Sequence, residues 1–426
     1  MSALLITNIG LLAGTHPAEV TVLRGGQMAF LPVVKDAWLL CENGQIADYG
    51  SMQELPQDLP PLCETFSAGG GHVLPAWCDS HTHLVFAAYR EEEFVMKIQG
   101  KSYAEIAAAG GGILNSARKV QQCTEEELFD SAWQRLQEVI LLGTGAIEIK
   151  SGYGLTTDAE LKMLRVIKRL KAVSPIPVKA TFLAAHAYPE AYQQDHQGYI
   201  RLIIEEMLPQ IAAEGLADYV DVFCEKGFFS VEEMNQLLTA AAVYGLAPKI
   251  HANQLSISGA MEAAVQHGAV SVDHLEETDA ASLKCLENSH TIATILPGCS
   301  FYLNIPFANA RAIISAGAAV AIATDYNPGS SPSGNMNLVV SLACLKLKLS
   351  PEEAINAATL NGAAAMGLAK QLGSIAIGKY ANLIVTPPEV PSLAFLPYSF
   401  GQHHIQQMII NGKLYGQTRI LQPISD

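Results

Sequence analysis

Basic residues and long apolar runs are both scarce in this chain. Its 426 residues contain 26 lysines and arginines against 41 aspartates and glutamates, which gives a net charge of −15. Because the acidic residues are spread along the chain, this charge argues against nucleic acid and anionic membranes as partners. No uncharged apolar stretch approaches the length that crosses a bilayer, so the sequence predicts a soluble protein without membrane spans.

Disulfide and targeting signals are absent as well. The eight cysteines are scattered and include no Cys-x-x-Cys pair, and a chain in which half of the residues are hydrophobic can bury a core without disulfides. Residues 1–22 contain no lysine or arginine, and no small-residue cleavage pattern follows an apolar core there. We therefore expect reduced thiols and a cytoplasmic location.

The middle of the chain alternates short apolar segments with amphipathic ones. The apolar segments have the character of buried strands, and helical patterns such as residues 125–142 and 158–171 lie between most of them. This alternation predicts an α/β fold with a parallel sheet, and eight repeats favour closure into a (β/α)8 barrel of the TIM type. The predicted strands are residues 73–83, 144–149, 178–186, 219–224, 248–251, 271–274, 291–296 and 319–325.

Both ends of the chain lack this alternation of predicted strands and helices. They contain alternating apolar and polar residues with turn signals, which is typical of antiparallel hairpins. Because unpaired strands would expose apolar edges, we expect the two ends to pair as one small β-sandwich domain of residues 1–70 and 373–426, beside a barrel domain of residues 71–372. The predicted hairpin segments are residues 19–23, 37–40, 373–386 and 405–416, with turns at residues 25–26, 42–44 and 411–412.

Histidines gather at the carboxyl ends of the predicted strands, where barrels of this type form their active sites. His81 and His83 are two residues apart on the first strand and therefore share one face. Unrelated core or surface histidines would have no reason to collect at one end, whereas neutral imidazole is the commonest metal ligand. The sequence thus predicts a metal centre. The residues at the other strand ends are His186, His251, His274 and Asp325.

This set of residues resembles the metal centre of the amidohydrolase superfamily, and segment 374–383 resembles the strand pair that closes the small domain in those enzymes. Longer blocks resemble one branch of the superfamily, which hydrolyses the cyclic amide of 4-imidazolone-5-propanoate to N-formimino-L-glutamate in histidine degradation. These blocks are residues 148–155, 181–187, 221–225, 273–276 and 324–329.

The resemblance implies one metal ion per subunit, because the fourth strand contains no lysine that could bridge two ions. Three imidazoles and one carboxylate would bind it and leave a position for water. Zinc suits this set of ligands best, and iron is the alternative. The implied ligands are His81, His83, His251 and Asp325.

The implied reaction is attack of a metal-activated water on the ring carbonyl, followed by cleavage of the amide C–N bond. The catalytic residues would be Asp325, which accepts a proton, and His274, which acts as a general base or donates to the developing oxyanion. In the alternative, His274 only orients Asp325.

The resemblance also assigns residues that contact the substrate. Arg90 suits the propionate because its planar fork can donate two parallel hydrogen bonds, although an ion pair with Glu91, Glu92 or Glu93 at the surface is the alternative. The remaining implied contacts are Tyr153, His186, Gln254, Asn327, Gly329 and Ser330.

Gln254 marks a departure from some relatives, which have an acid after the fifth-strand histidine. An amide cannot take a proton, so a proton shuttle would have to be His274, Asp325 or Glu225. Two other functions remain open: a mononuclear deaminase of a cyclic amidine, and a non-catalytic barrel in which the histidines hold a structural metal or a small molecule. Arg90 favours an anionic substrate and hence the hydrolase. A homodimer is a further expectation.

Overall fold

Two eight-stranded sheets organise the part of the chain that the structure describes, residues 3–101, 105, 111–287 and 289–416. The structure is a computed structural model. One sheet is mixed and combines strands from both ends of the chain, and the other is parallel. The strands are β1 Ala3–Ala13, β2 Val33–Glu42, β3 Gln45–Ser51, β4 Glu64–Ser67, β5 His72–Pro75, β6 Trp77–Asp79, β7 Thr144–Lys150, β8 Val178–Ala185, β9 Tyr219–Cys224, β10 Ala247–Ala252, β11 Ser271–His274, β12 Ile292–Ile295, β13 Ala319–Ile322, β14 Leu383–Val385, β15 Gln407–Ile410 and β16 Lys413–Tyr415.

The parallel sheet is a nearly closed barrel whose strands β6 to β13 are adjacent in chain order. Backbone hydrogen bonds just beyond the first and last strands complete the ring. The amide of Asp325 donates to the carbonyl of His81 over 3.0 Å, and the amide of His83 donates to the carbonyl of Tyr326 over 2.9 Å. The predicted barrel is confirmed, and each of its eight strands overlaps a predicted one.

Helices connect the barrel strands and cover the outside of the barrel. Several begin at capping boxes, in which a hydroxyl and a glutamate three residues later satisfy free backbone amides; Thr124 with Glu127 and Ser230 with Glu233 are examples. The α-helices of the described chain are Glu91–Ile98, Ile113–Gln122, Glu125–Leu141, Thr157–Val173, His196–Leu202, Leu208–Glu214, Val231–Val243, Ala260–Gln266, Ala280–Glu287, Pro297–Leu303, Ala310–Ser315, Met336–Leu345, Pro351–Ala358, Leu360–Ala364 and Phe395–Tyr398.

The mixed sheet has the strand order β16-β15-β14-β5-β1-β2-β3, with β4 paired to β1. Strand β5 joins the two ends of the chain, since it pairs parallel with β1 and antiparallel with β14. The predicted hairpin turns between β2 and β3 and between β15 and β16 are present. The expected sheet from both termini is therefore confirmed, whereas the division of the domains at residues 70 and 373 stays a prediction.

Two predicted strands were wrong in detail. Residues 19–23 form no strand, because the amide and carbonyl of Leu23 are bonded to the side chain of Asn361 over 2.9 Å each and cannot join a sheet. The predicted first barrel strand is divided: β5 belongs to the mixed sheet, where the amide of Ala76 still donates to the carbonyl of Asn382, and β6 begins the barrel at Trp77, whose amide donates to the carbonyl of Gly143.

The helices of the structure can be compared with the prediction that the chain has no membrane spans. Of the helices in the described part of the chain, none is both long enough and apolar enough to cross a bilayer. The barrel and its helices bury one large apolar core, and a smaller cluster of buried apolar residues packs against the mixed sheet.

Candidate metal centre

Five histidines and one aspartate meet at the carboxyl end of the barrel. His81 and His83 follow β6, His251 lies in β10, His274 ends β11, and Asp325 follows β13. The possible ligand atoms lie within 4.8 Å of one another in each of three groups. The groups are His81 with His251 and His274, His83 with His186 and His251, and His81 with His83 and Asp325.

Buried carboxylates lie beside the rings of two of these histidines. Nδ1 of His81 donates to Oδ2 of Asp273 over 2.6 Å, and Nδ1 of His251 lies 2.9 Å from Oδ2 of Asp221. The Nε2 atoms of both rings are buried and have no hydrogen-bond partner. The His81 ring is thus fixed through Nδ1 and presents the lone pair of Nε2 to the centre of the site, whereas His251 lies against Asp221 without a hydrogen bond between them.

A buried ionic network lies directly beneath these carboxylates. The ammonium of Lys150 donates to Asp221 over 2.8 Å and to Glu148 over 2.6 Å, and it lies 3.6 Å from Asp273. Lys249 bonds the other oxygen of Glu148. Lys150 therefore touches both carboxylates that lie beside metal-facing imidazoles, so the site rests on a charged layer inside the barrel.

Burial decides the protonation of the imidazoles. It is the main cause that lowers the pKa values of His81, His83 and His251 well below the ordinary histidine value. Burial also raises the pKa of Asp325 to about 6, against the lowering influence of His274. Neutral imidazoles have a free lone pair at neutral pH, which is the form that binds a metal.

His274 behaves differently from the other histidines. Burial is the largest single influence and lowers the pKa of His274, but the Glu276 carboxylate, together with Asp325 and Asp273, raises it above the ordinary value. Nδ1 of His274 lies 3.7 Å from Oε2 of Glu276. This ring can therefore carry a proton where the others are neutral.

Asp325 begins a tight turn that carries other predicted contacts. Its φ of 55° is left-handed, and Nδ2 of the Asn327 side chain donates to the Asp325 backbone carbonyl over 2.7 Å. The Asn327 side-chain oxygen accepts the backbone amides of Gly329 and Ser330, both over 2.8 Å. Asn327 thus shapes the turn, and Ser330 Oγ is 3.5 Å from Asp325 Oδ2.

Arg90 reaches the same region from the segment after β6. Its Nε donates to Ser116 over 2.8 Å, and its guanidinium lies 5.7 Å from the centre of the Tyr153 ring. Of the described residues, Glu91, Glu92 and Glu93 form no ion pair with it; Glu93 instead accepts the amide of Gly112 over 2.9 Å. Arg90 faces Tyr153 and the 327–330 turn rather than the surface glutamates.

Of the remaining predicted residues, Tyr153 and His186 contact each other, whereas Gln254 and Glu225 are hydrogen-bonded to other groups. Tyr153 and His186 are ring neighbours at 5.4 Å, and burial lowers the pKa of His186 to about 4. Gln254 donates to Cys299 over 3.5 Å. Glu225 is bonded to the amides of Lys226 and Leu255 and to the hydroxyl of Ser256, so it anchors a loop. Glu225 is poorly placed to move a proton.

The donor set fits a metal ion. Buried imidazole nitrogens without hydrogen-bond partners are costly unless something binds them, and the nearby Asp325 supplies one anionic oxygen. Three nitrogens and one oxygen are ligands typical of a divalent transition metal in a catalytic site. The sequence analysis missed the charged residues that lie beneath the imidazoles, which are Asp273, Asp221, Lys150 and Glu148. Their spacing at alternate positions within strands could have indicated that they point into the barrel.

Comparisons with known proteins agree with this geometry. The family model for the amidohydrolase family matches residues 72–415. Imidazolonepropionases of Christiangramia forsetii and Flavobacterium johnsoniae are 53% and 52% identical over 411 and 410 residues, covering 96% of this chain and 99% of each relative. The structure of an adenosine deaminase from Xanthomonas campestris with bound zinc shares the fold, with a TM-score of 0.70, 17% identity, and coverage of 99% of this chain and 94% of that one.

The barrel, the terminal sheet and the histidine cluster define a barrel hydrolase with residues that could hold a metal ion. The chain belongs to the amidohydrolase family and, within it, to the imidazolonepropionases, which act on carbon–nitrogen bonds.

Proposed function

We propose that this chain hydrolyses the cyclic amide of 4-imidazolone-5-propanoate to N-formimino-L-glutamate, with one zinc ion per subunit. The observation that carries the proposal is the meeting of the buried, unpartnered Nε2 atoms of His81 and His251 with His83 and Asp325, close to Arg90 and Tyr153. The near full-length likeness to imidazolonepropionases supports the choice of substrate.

The proposed metal ligands are His81, His83, His251 and Asp325. A divalent metal held there would supply Lewis acidity and would make hydroxide available near neutral pH. Burial lowers the pKa values of the three imidazoles, Asp273 holds His81 through its Nδ1, and Asp221 lies 2.9 Å from Nδ1 of His251. Zinc is preferred to iron because nitrogen-rich sets of four with one carboxylate suit it well.

The proposed substrate site lies between Arg90 and the turn after β13. Arg90 is held at Nε by Ser116, which leaves its terminal nitrogens for the propionate carboxylate. The buried Tyr153 and the neutral His186 line the adjoining surface, and Gln254, Asn327, Gly329 and Ser330 complete the proposed contacts. The positive charge of Arg90 favours a ring that bears a propionate over a neutral base.

Asp325 and His274 are the proposed catalytic residues. Oδ1 of Asp325 lies 3.6 and 3.5 Å from Nε2 of His81 and His83, and Oδ2 lies 3.5 Å from Ser330 Oγ, so Oδ1 would hold a metal and Oδ2 would accept a proton from the attacking water. His274, whose pKa is raised by Glu276, can donate a hydrogen bond or a proton to the charge that develops on the substrate.

The decisive experiment follows the ultraviolet absorbance of freshly generated imidazolonepropionate with zinc-loaded protein. We expect turnover that chelator abolishes and zinc restores, and that falls about 10²-fold or more in a His274→Ala variant. A metal-loaded protein that leaves the substrate intact would overturn the proposal. Ammonia release from a panel of cyclic amidines would then identify a deaminase.

A further inference from the structure

The side chains of His274 and Glu276 face each other through one buried nitrogen and one buried oxygen. His274 Nδ1 and Glu276 Oε2 lie 3.7 Å apart, and both atoms are buried without a hydrogen-bond partner. The other oxygen of Glu276 accepts the Ser300 hydroxyl over 2.8 Å, which fixes the carboxylate. A buried carboxylate oxygen aimed at one ring nitrogen selects which nitrogen of that ring holds a proton.

The backbone between the two residues is strained in a way that keeps them together. His274 and Leu275 have φ values of 87° and 67°, a left-handed region that side-chain-bearing residues rarely occupy. Neighbouring backbone bonds hold the bend, since the amides of Leu275 and Glu277 donate to the carbonyls of Ala252 and Asn253.

The other carboxylates around the site interact with groups other than His274. Asp273 and Asp221 lie beside the imidazoles of His81 and His251, and Glu225 is bonded by a loop. Gln254 is an amide and takes no proton. Glu276 and Glu262 are the two described carboxylates that have a buried oxygen without a hydrogen-bond partner, and Glu262 contacts Ser282 instead of the site.

We propose that Glu276 is a positioning residue that fixes the Nδ1–H form of His274. The Nδ1 proton stays on the ring beside Glu276, so Nε2 is the atom that exchanges a proton or hydrogen bond with the reacting substrate. The proposal rests on the proposed function for its substrate, although the state of the ring does not depend on that substrate.

The test compares Glu276→Gln with two other variants of the metal-loaded full chain. Glu276→Asp keeps the carboxylate, and Glu277→Gln makes the same chemical change at the next, exposed residue. We expect Glu276→Gln to lower kcat for imidazolonepropionate about 10- to 100-fold with little change in KM and in bound zinc. Glu276→Asp should recover part of the loss, and Glu277→Gln should match the wild type.

A spectroscopic measurement separates this proposal from the proposed function. In protein labelled with 15N-histidine, the His274 signals, assigned by their loss in His274→Gln, should show a protonated Nδ1 in the wild type and a changed pattern in Glu276→Gln. Unchanged His274 signals, an unchanged kcat, or a loss of activity that follows a loss of zinc would each overturn the role of Glu276. Absence of turnover by the wild type would count against the proposed substrate alone.

Discussion

Arg90 and Gly329 approach each other so closely that no side chain fits between them. A Cβ atom at Gly329 would lie 2.3 Å from Nη1 of Arg90. The φ of Gly329 does not fall in the left-handed region, so the glycine is needed for space rather than for its backbone conformation. The terminal atoms of an arginine can move, and an added methyl group would therefore displace the guanidinium rather than the fold.

We expect Gly329→Ala to raise KM for imidazolonepropionate about tenfold, since a displaced guanidinium loses about one charge-assisted hydrogen bond. The free energy of unfolding should change by less than about 1 kcal/mol, because a flexible side chain absorbs the clash. Steady-state kinetics and urea unfolding measure the two effects. Gly26→Ala, where a Cβ meets nothing within 4 Å, is the matched control. A large stability loss with normal KM would contradict this account.

Substitution of Arg90 itself tests the shape of the cation as well as its charge. Arg90→Lys keeps the charge but loses the fork, and we expect KM to rise about tenfold; Arg90→Met should raise it about 100-fold or more. Measured kcat should fall less than KM rises. Arg118→Lys alters an exposed arginine that pairs with Glu190, and its kinetics should match the wild type. A fall in kcat at constant KM would place Arg90 outside the binding of the propionate.

At the scale of elements, the barrel strands present charged residues in layers. Alternate residues of β7, β10 and β11 point inward, so Glu148, Lys150 and Lys249 lie beneath Asp273 and the imidazoles. The histidines at strand ends were predictable because parallel strands bring their carboxyl ends together. The charged layer was not predicted, since charged residues within a strand are ordinarily expected outside, and only their pairing across strands allows them to be buried.

This layer predicts that Asp273→Asn weakens zinc binding about 10- to 100-fold, because Nδ1 of His81 loses the carboxylate that orients it. Competition with a coloured chelator measures the dissociation constant, and metal analysis measures the content. Asp218→Asn is the control, since this aspartate pairs with Lys171 and Lys179. Equal zinc affinities in the two variants would show that the carboxylate at Asp273 does not support the metal.

The two errors of strand prediction share one physical cause. Residues 19–23 have a strand-like pattern, but a side chain 338 positions away takes the hydrogen bonds of Leu23. Residues 73–83 were joined into one strand, although β5 pairs with β1 and β14 in the other sheet. Local alternation predicts that a segment is extended, whereas its partner depends on distant residues.

At the scale of the whole molecule, Lys379 is buried in the terminal segment that packs beside the barrel. Its ammonium donates to the carbonyl of Ala369 over 2.6 Å and to Ser374 over 2.7 Å. Among the described acids, none forms an ion pair with it. Burial lowers the pKa of Lys379 to about 8.

The stability of the fold should therefore depend on pH through Lys379. Its pKa in the folded protein is below the ordinary value of about 10.4, so the unfolded chain binds more protons between these values and stability rises with pH above about 8. The slope is at most about 1.4 kcal/mol per pH unit. Urea unfolding from pH 7 to 9.5 should show this rise for the wild type relative to Lys379→Met.

Lys370→Met makes the same substitution at an exposed neighbouring lysine and controls for the change of side chain. Parallel stability curves for the wild type and Lys379→Met over this pH range would refute the assignment of the buried ammonium.

The ring closure of the barrel has a consequence for synthesis of the chain. The seam between His81 and Asp325 also contains bonds from Thr324 to Asp79, 245 positions earlier. Because ribosomes deliver the amino end first, a nascent chain that has exposed His81 and His83 still lacks Asp325. The complete set of proposed ligands is present only after Asp325 has been made and the seam has formed, so metal capture should follow translation of the barrel and report its closure.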